Sequence, residues 1–362
     1  MKIVVQNPHL LGETSTSGIN DWGVDFLRLY RPAIRIWPLK SFPSWLKFLI
    51  RKKLPLTGWT YVMNEADLNS YDVWMGWQGA KQLPFELIPR HFPGIKLYHV
   101  MDYSFRTREA AEICKEFQFD YLMGYSRHDQ WCGFFRSHFQ DYENRVVPVP
   151  FGFGPRFVNQ APFYERKPKC AAMGAVNLVN DTNFSTEILD AYVDYFRDDE
   201  WAHPMRQSIR ENIDQLDNII TNFLATWPER VNLAYDSVQE LNRYQLFVND
   251  DSVMHYPPAR TYEGVACGSV MVCSDNPCFN DYGWIDGVNC LRHRFADLDS
   301  FQRVVADALA DQDRLAEIRK TSLAHAKRFA HIEVARGLYD TLGNLIAGKT
   351  AGLGDHWKTT RT

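Results

Sequence analysis

The chain alternates strand-length apolar runs with stretches of helical pattern along most of its length. The first series of runs covers residues 2–6, 33–39, 72–77, 95–101, 121–125 and 145–149, and several of these runs end at Gly, Pro or Asp. Such alternation favours an α/β domain, because successive parallel strands are joined by crossover helices. The pattern therefore predicts a parallel sheet in the first part of the chain.

A second series of runs follows a Pro/Gly-dense segment at residues 147–155. Its strand candidates are residues 169–176, 231–235, 244–248, 269–274 and 289–292. The polar interval 185–230 predicts two or three helices, and residues 301–330 and 333–346 have helical patterns as well. A length of 362 residues suits two domains at about 150 residues per domain.

These patterns predict two α/β halves with defined limits. The N-terminal domain covers residues 1–155, the C-terminal domain covers 156–335, and a helix with a flexible tail occupies 336–362. Ligands of such folds bind at the carboxyl ends of the strands, in the crevice between the halves.

Composition indicates which class of partner and which cellular compartment to expect. The net charge is −4, from 40 basic and 44 acidic residues, which disfavours nucleic acid as a partner. The seven cysteines form no CxxC pair and have no zinc spacing, so we expect reduced thiols in a cytoplasmic protein. No stretch of about 18 apolar residues is present to predict a membrane span.

Residues 254–272 form the most informative segment of the chain. A strand precedes a Pro-Pro loop, and a short helix of small residues follows and ends at Gly268. Arg260 and the start of that helix suit a diphosphate, whereas the nearby Glu263 suits the two hydroxyls of a ribose. The segment thus predicts a nucleoside diphosphate as ligand, or else a surface helix whose Arg–Glu pair stabilises its first turn.

The same segment resembles the donor-site signature of GT-B glycosyltransferases, in particular the family called glycosyl transferases group 1. The signature reads roughly Arg-x-Phe-Glu-x-x-Ala-Cys-Gly, and residues 260–268 read Arg-Thr-Tyr-Glu-Gly-Val-Ala-Cys-Gly. Residues 286–289 resemble the Asp-Gly-x-Asn turn of the family. The resemblance covers residues 240–330 well and extends faintly to residues 147–153.

The resemblance implies a fold and a function. The fold would be two Rossmann-like domains facing across a cleft, with the acceptor domain at residues 1–155 and the donor domain at 156–335. The activity would be a metal-independent, hexosyltransferase-type transfer from a nucleotide-diphosphate sugar to a hydroxyl of a glycan or glycoconjugate, as in polysaccharide biosynthesis. The nucleotide sugar is the donor substrate, and no cofactor is implied.

The resemblance also assigns residues to the donor. Glu263 would hold the ribose hydroxyls and Arg260 would lie close to the phosphates, with Tyr262 and Gly268 in the same motif. Many relatives carry a second Glu, eight residues earlier, that contacts the donor sugar. Here that position is His255, which we take as a candidate catalytic residue able to touch sugar or phosphate.

The first half of the chain offers two further candidates. Gly18 lies in a Gly/Ser/Thr loop between a strand and a helix, where backbone amides can bind phosphate, although the loop also suits a flexible cap for the next helix. Asp102 follows a strand and is the candidate base that deprotonates the acceptor, with His99 as the alternative. The two side chains point to opposite faces of a strand, so only one of them can face the cleft.

Residues 45–54 combine aromatic, apolar and basic side chains. They suit peripheral contact with the inner face of a membrane, or an ordinary amphipathic surface helix.

Two other functions stay open on the same scaffold: a nucleotide-sugar epimerase, and a non-catalytic nucleotide- or sugar-binding protein. Residues 249–251, Asn-Asp-Asp, have side chains of the type that bind metal ions, but we predict no metal site because the resemblance implies no bound metal.

Overall fold

A computed structural model describes residues 1–12, 21–37, 39–77, 88–100, 103–178, 189–196, 200–216, 219–226, 229 and 235–358. The chain divides into two compact units. Unit 1 comprises Met1–Phe151 and His331–His356, and unit 2 comprises Gly152–Ala330 and Trp357–Thr362. The C-terminal helix therefore returns to unit 1.

The described strands form one parallel sheet in each unit. The strands in chain order are β1 Ile3–Gln6, β2 Ala33–Arg35, β3 Val73–Trp77, β4 Ile95–His99, β5 Tyr121–Gly124, β6 Val146–Pro148, β7 Lys167–Ala175, β8 Ile220–Ala225, β9 Tyr244–Val248, β10 Val270–Ser274 and β11 Leu291–His293. The order is β2-β1-β3-β4-β5-β6 in unit 1 and β11-β10-β9-β7-β8 in unit 2. All the strand pairs are parallel, as the alternating pattern predicts.

The helices alternate with the strands. In chain order they are α1 Asp21–Tyr30, α2 Phe42–Arg51, α3 Thr107–Phe117, α4 His128–Trp131, α5 Gly133–His138, α6 Asp190–Tyr195, α7 Pro204–Glu211, α8 Ile213–Leu216, α9 Ser237–Arg243, α10 Arg260–Ala266, α11 Leu298–Ala310, α12 Gln312–Ala326 and α13 His331–Ile346. Short 3₁₀ helices, such as Pro277–Tyr282, lie between them.

The core of unit 1 is rich in aromatic side chains. Trp22, Trp74 and Tyr98 are fully buried. Helix α1 packs against the C-terminal helix α13, and the rings of Tyr30 and Tyr339 stack 3.8 Å apart. This packing explains why α13 belongs to unit 1 although unit 2 precedes it in the chain.

The core of unit 2 is mainly aliphatic. Buried side chains of β7, β9 and β10 pack with Phe301 and Val305 of α11 and with Leu315 and Ile318 of α12. Because β7, β9 and β10 are adjacent and parallel, their carboxyl ends meet at one edge of the sheet. The loops that follow these strands are thereby brought together.

Two details of unit 2 differ from the sequence prediction. Strand β8 lies inside the interval predicted to be helical, because it is an edge strand, paired with β7, whose sequence includes the polar residues Thr and Asn. The helical stretch 301–330 is divided at Asp311, whose carboxylate accepts a hydrogen bond from the amide of Arg314 and so starts a new helix. The predicted strand 231–235 lies almost wholly outside the described residues.

Candidate functional site

Polar and charged side chains gather at the carboxyl edge of the sheet in unit 2. Strand β9 is followed by Asn249, Asp250 and Asp251, all buried. Helix α10 begins at Arg260 and packs against β10. In parallel α/β units this edge is where ligands bind.

Arg260 is held against the end of strand β7. Its Nη1 donates a hydrogen bond to the carbonyl oxygen of Met173 at 2.5 Å. The next residue, Gly174, has φ +135°, and a Cβ placed there would lie 3.1 Å from Arg260 Nη1 and 2.8 Å from Arg206 Nη1. Glycine is needed here because two guanidinium groups occupy the space beside it.

Arg206, on helix α7, is the second cation of this group. It is 7% exposed, and its guanidinium lies 3.4 Å from the carbonyl oxygens of Ala175 and Asp250. Burial lowers the pKa of the neighbouring His203, and the charges of Arg206 and Arg260 lower it further. The imidazole is therefore neutral, and the guanidinium groups of Arg206 and Arg260 lie close together at this edge.

The two acidic residues after β9 have different surroundings. Burial raises the pKa of Asp250 well above its usual value, and the charge of Asp251 raises it further, against the opposing effect of Arg206. Asp251 accepts a hydrogen bond from Ser274 Oγ at 2.5 Å. Among the described residues Arg260 forms no ion pair within 4.0 Å.

Glu263 lies one turn along α10 from Arg260. Burial raises its pKa, and the charges of Arg260 and Arg156 act in the opposite direction. Arg156 also lines an open depression together with Tyr235, Asp236 and Ser237. The carboxylate of Glu263, the guanidinium group of Arg156 and the ring of Tyr235 therefore lie in one part of unit 2.

His255 has a left-handed backbone conformation, with φ +52°. Its Nδ1 lies 3.2 Å from Asp251 Oδ2 and 2.6 Å from Asn276 Nδ2, and the ring meets Phe295 edge-on. The side chain is 28% exposed. A non-glycine residue with positive φ is uncommon, and such positions concentrate at functional sites.

Two other residues of the motif, Tyr262 and Gly268, contact neighbouring groups of the protein itself. Tyr262 is fully buried and packs against Tyr282 and Phe329. Gly268, with φ +82°, lies beyond the end of α10, and its carbonyl oxygen accepts a hydrogen bond from Arg319 Nε at 2.8 Å. The structure therefore brings Arg260, Glu263 and His255 to one edge of the sheet, with Tyr262 in the core.

The candidates in unit 1 are only partly described. Gly18 and Asp102 lie outside the described residues. His99 is fully buried between Trp22 and Tyr125, and burial lowers its pKa to about 3. Within the described part of the chain neither of its ring nitrogens has a hydrogen-bond partner.

Four site residues were missed by the sequence analysis: His203, Arg206, Asp251 as a partner of His255, and Asn276. His203 and Arg206 lie in the interval 185–230, for which the sequence predicts only helices. Asn276 carried one usable signal, because an Asn before Pro often caps a helix, and its Oδ1 does accept from the amide of Cys278.

Three further observations concern metals, thiols and membranes. Within the described ranges, no group of three or more His, Cys, Asp or Glu side chains is arranged to hold a metal ion. All seven cysteines are buried and free. The described helices include none with the length and apolar character needed to span a bilayer.

The sequence matches no family model. It is also not significantly similar to any curated protein sequence. The structure, in contrast, is similar to solved structures over nearly its whole length. HepE from Anabaena in complex with UDP-glucose has a TM-score of 0.53 at 13% identity, with 95% of this chain and 100% of that chain covered.

Two other solved structures give the same result. Sucrose-phosphate synthase from Thermosynechococcus elongatus has a TM-score of 0.51 at 11% identity, covering 96% of this chain and 100% of that chain. A glycosyltransferase from Rickettsia africae has a TM-score of 0.50 at 10% identity, covering 96% and 98%. The chain therefore has the GT-B fold, with one parallel-sheet domain in each unit, and the fold predicted from the sequence is confirmed.

Proposed function

We propose that the chain is a glycosyltransferase that moves a sugar, of hexosyl type, from a nucleotide-diphosphate sugar to a hydroxyl of a glycan or glycoconjugate. The observation that carries the proposal is the pair Arg206 and Arg260 beside Gly174, with Glu263 one turn away, at the carboxyl edge of the unit 2 sheet. The GT-B fold supports it, as does the bound UDP-glucose of HepE.

The arginine pair suits the diphosphate. Guanidinium groups bind phosphate oxygens through paired, charge-assisted hydrogen bonds. Two of them also stabilise the negative charge that develops on the leaving nucleoside diphosphate, which is the role of a metal ion in other transferases. We therefore propose a reaction that needs no bound metal.

The remaining parts of the donor fit the neighbouring residues. Glu263 can accept hydrogen bonds from two ribose hydroxyls, and Arg156 lies close enough to affect its charge. The depression beside Arg156 contains the ring of Tyr235, on which a nucleobase can stack. Asp102 remains the proposed base for the acceptor hydroxyl, and residues 1–155 the proposed acceptor domain.

Calorimetric titration with UDP, GDP, ADP, CMP and dTDP in the presence of EDTA tests the donor site. We expect selective binding of one nucleoside diphosphate, and loss of that binding in a folded Glu263→Ala variant. The corresponding nucleotide sugar is then incubated with and without glycan acceptors. Conversion of the sugar without acceptor would indicate an epimerase, and binding without turnover would indicate a non-catalytic protein.

We also propose that unit 1 contacts the inner face of a membrane through α2 and its neighbours, which places the protein in the cytoplasm. Residues 37–64 carry five Lys or Arg and no Asp or Glu, in a chain of net charge −4. Helix α2 buries Trp45, Phe48 and Leu49, yet Leu46 and Ile50 are 38% and 65% exposed. An apolar outer face bordered by cations suits an anionic lipid surface.

A further inference from the structure

The imidazole of His255 has one ring nitrogen fixed and the other unoccupied. Nδ1 contacts the side chains of Asp251 and Asn276, at 3.2 and 2.6 Å. Within the described residues Nε2 makes no hydrogen bond, and the side chain is partly exposed. The carboxylate of Asp251 favours a proton on Nδ1, whereas the NH₂ group of Asn276 favours an unprotonated Nδ1, and the shorter contact is the one to Asn276.

The orientation of the Asn276 amide is set by a second contact. Its Oδ1 accepts a hydrogen bond from the backbone amide of Cys278 at 3.0 Å, at the start of the 3₁₀ helix Pro277–Tyr282. A flipped amide would place an NH₂ group against that N–H. The Nδ2 group, a donor, is consequently the atom that faces His255 Nδ1.

A hydrogen-bond network connects the same residues from the other side. The backbone amide of Asn276 donates to Ser274 Oγ at 3.2 Å, and Ser274 Oγ donates to Asp251 Oδ1. Asp251 is fully buried, and its two carboxylate oxygens contact Ser274 Oγ and His255 Nδ1. The three residues hold the imidazole in place although its backbone is in the left-handed region.

We propose that His255 presents Nε2–H to the ligand as a hydrogen-bond donor, and that Asn276 is the positioning residue that fixes this tautomer. When Nδ1 accepts from Asn276, the proton of the neutral ring lies on Nε2. When the ring is protonated, Nδ1–H faces Asp251 and Nε2 still carries a proton. In neither state does Nε2 offer a lone pair, so His255 does not act as a general base.

The inference rests on the proposed function and narrows it. The glutamate that many relatives carry at this position can only accept hydrogen bonds when ionised, whereas Nε2–H can only donate. The ligand group that His255 meets is therefore an acceptor oxygen of the nucleotide sugar. That oxygen belongs either to the sugar or to the diphosphate. The two cases predict different losses of affinity for UDP and UDP-glucose when His255 is substituted.

Nitrogen NMR of protein labelled with ¹⁵N-histidine tests the tautomer without any ligand. The His255 signals are assigned by their loss in His255→Gln. At alkaline pH we expect a protonated Nε2 and an unprotonated Nδ1. Asn276→Asp replaces the donor by a carboxylate acceptor and should move the proton to Nδ1. A wild-type ring protonated at Nδ1, or an Asn276→Asp ring unchanged from the wild type, would overturn the inference.

Binding of UDP and of UDP-glucose to two variants tests the donor role. Glutamine retains an N–H donor at His255, whereas leucine removes it. We expect His255→Leu to weaken binding by about tenfold and His255→Gln to restore most of it. A loss confined to UDP-glucose assigns the contact to the sugar, and a loss for both ligands assigns it to the diphosphate.

Wild-type affinity in His255→Leu for both ligands would contradict the donor role. Failure of the wild-type protein to bind any nucleotide would instead contradict the proposed function. The tautomer measurement is unaffected by that second outcome, so the two failures are distinguishable.

Discussion

Arg206 and Arg260 direct their guanidinium groups at the same residue, Gly174, from helix α7 and from the start of α10. Two like charges held this close repel each other, and burial of Arg206 removes much of the screening by water. A dianionic or trianionic ligand relieves the repulsion. A diphosphate that contacts both guanidinium groups is therefore expected to bind favourably at this position.

Substitution of either arginine by methionine should weaken nucleoside diphosphate binding. A hydrogen bond to a charged group contributes about 1.5–3 kcal/mol, so we expect Kd to rise by roughly ten- to hundredfold for Arg206→Met and Arg260→Met, measured by calorimetry. Arg210→Met is the matched control, because Arg210 lies on the same helix but pairs with Glu229 at the surface. Equal losses in all three variants would contradict a specific role.

Glu263→Gln should bind nucleotide more weakly and yet be more stable at neutral pH. Burial raises the pKa of Glu263 in the folded chain, so its favourable contribution to stability is present below the pKa of the unfolded chain and is lost as pH rises through the folded value. Glutamine avoids the cost of a buried charge at pH 7. A gain of about 1 kcal/mol would raise Tm by roughly 2–4 °C.

Thermal unfolding of wild type and Glu263→Gln at pH 7.5 and pH 4 measures this effect. We expect the difference in Tm to shrink at the lower pH, where the wild-type carboxyl is neutral as well. The opposite sign is expected for Glu229→Gln, because the Thr226 amide and Arg210 lower the pKa of Glu229. A destabilised Glu263→Gln at pH 7.5 would show that the carboxylate stabilises the empty site.

His99 should make the stability of unit 1 depend on pH in the acid range. Its pKa is about 3 in the folded chain, against 6.5 for an ordinary histidine, so the unfolded chain takes up a proton that the folded chain does not. The associated stability is complete above pH 6.5 and is lost as pH falls towards 3. The loss is about 1.4 kcal/mol per pH unit once the unfolded histidine is protonated.

Urea unfolding at pH 7, 6 and 5 gives the slope of stability against pH. In His99→Leu we expect this slope to decrease by about 1.4 kcal/mol per pH unit at the acid end, whatever the change in absolute stability. His91→Leu, at an exposed position of the same unit, is the reference substitution. An unchanged slope in His99→Leu would mean that the ring is already charged in the folded chain.

The fold could be predicted because its signals are local and repeated. Each apolar run has the length of a buried strand, and helical periodicity separates one run from the next. Strand β8 is the exception, since Thr221 and Asn222 interrupt the apolar pattern of this edge strand. The return of α13 to unit 1 depends on contacts such as Tyr30 with Tyr339, which no local pattern records.

The site was predictable only where its residues lie in one continuous segment, as His255, Arg260 and Glu263 do within residues 254–272. Arg260 and Glu263 are three residues apart and so lie on one face of α10, whereas Tyr262 points into the core with Val265. Arg206 comes from another helix and meets Arg260 only because β7 and β9 are neighbours. The contact of Asn276 with His255 likewise joins loops that follow two different strands.

The exposed face of α2 should bind anionic membranes. We expect the protein to sediment with vesicles that contain phosphatidylglycerol and not with vesicles of phosphatidylcholine alone, and to dissociate as salt is raised. Each cation near such a surface contributes about 1 kcal/mol, so Lys47→Gln with Arg51→Gln should reduce binding by roughly thirtyfold. Leu46→Ser with Ile50→Ser should also weaken it by removing apolar contact.

A control for these variants lies on another helix of unit 1 that has exposed side chains. Arg336→Gln with Ile346→Ser changes a cation and an apolar side chain of similar exposure on α13, and it should leave vesicle binding unchanged. Nucleotide affinity should be unaltered in all variants, because none of these residues lies in unit 2. Equal binding to neutral vesicles, or a dimer in solution that the α2 substitutions abolish, would show that the face meets something other than anionic lipid.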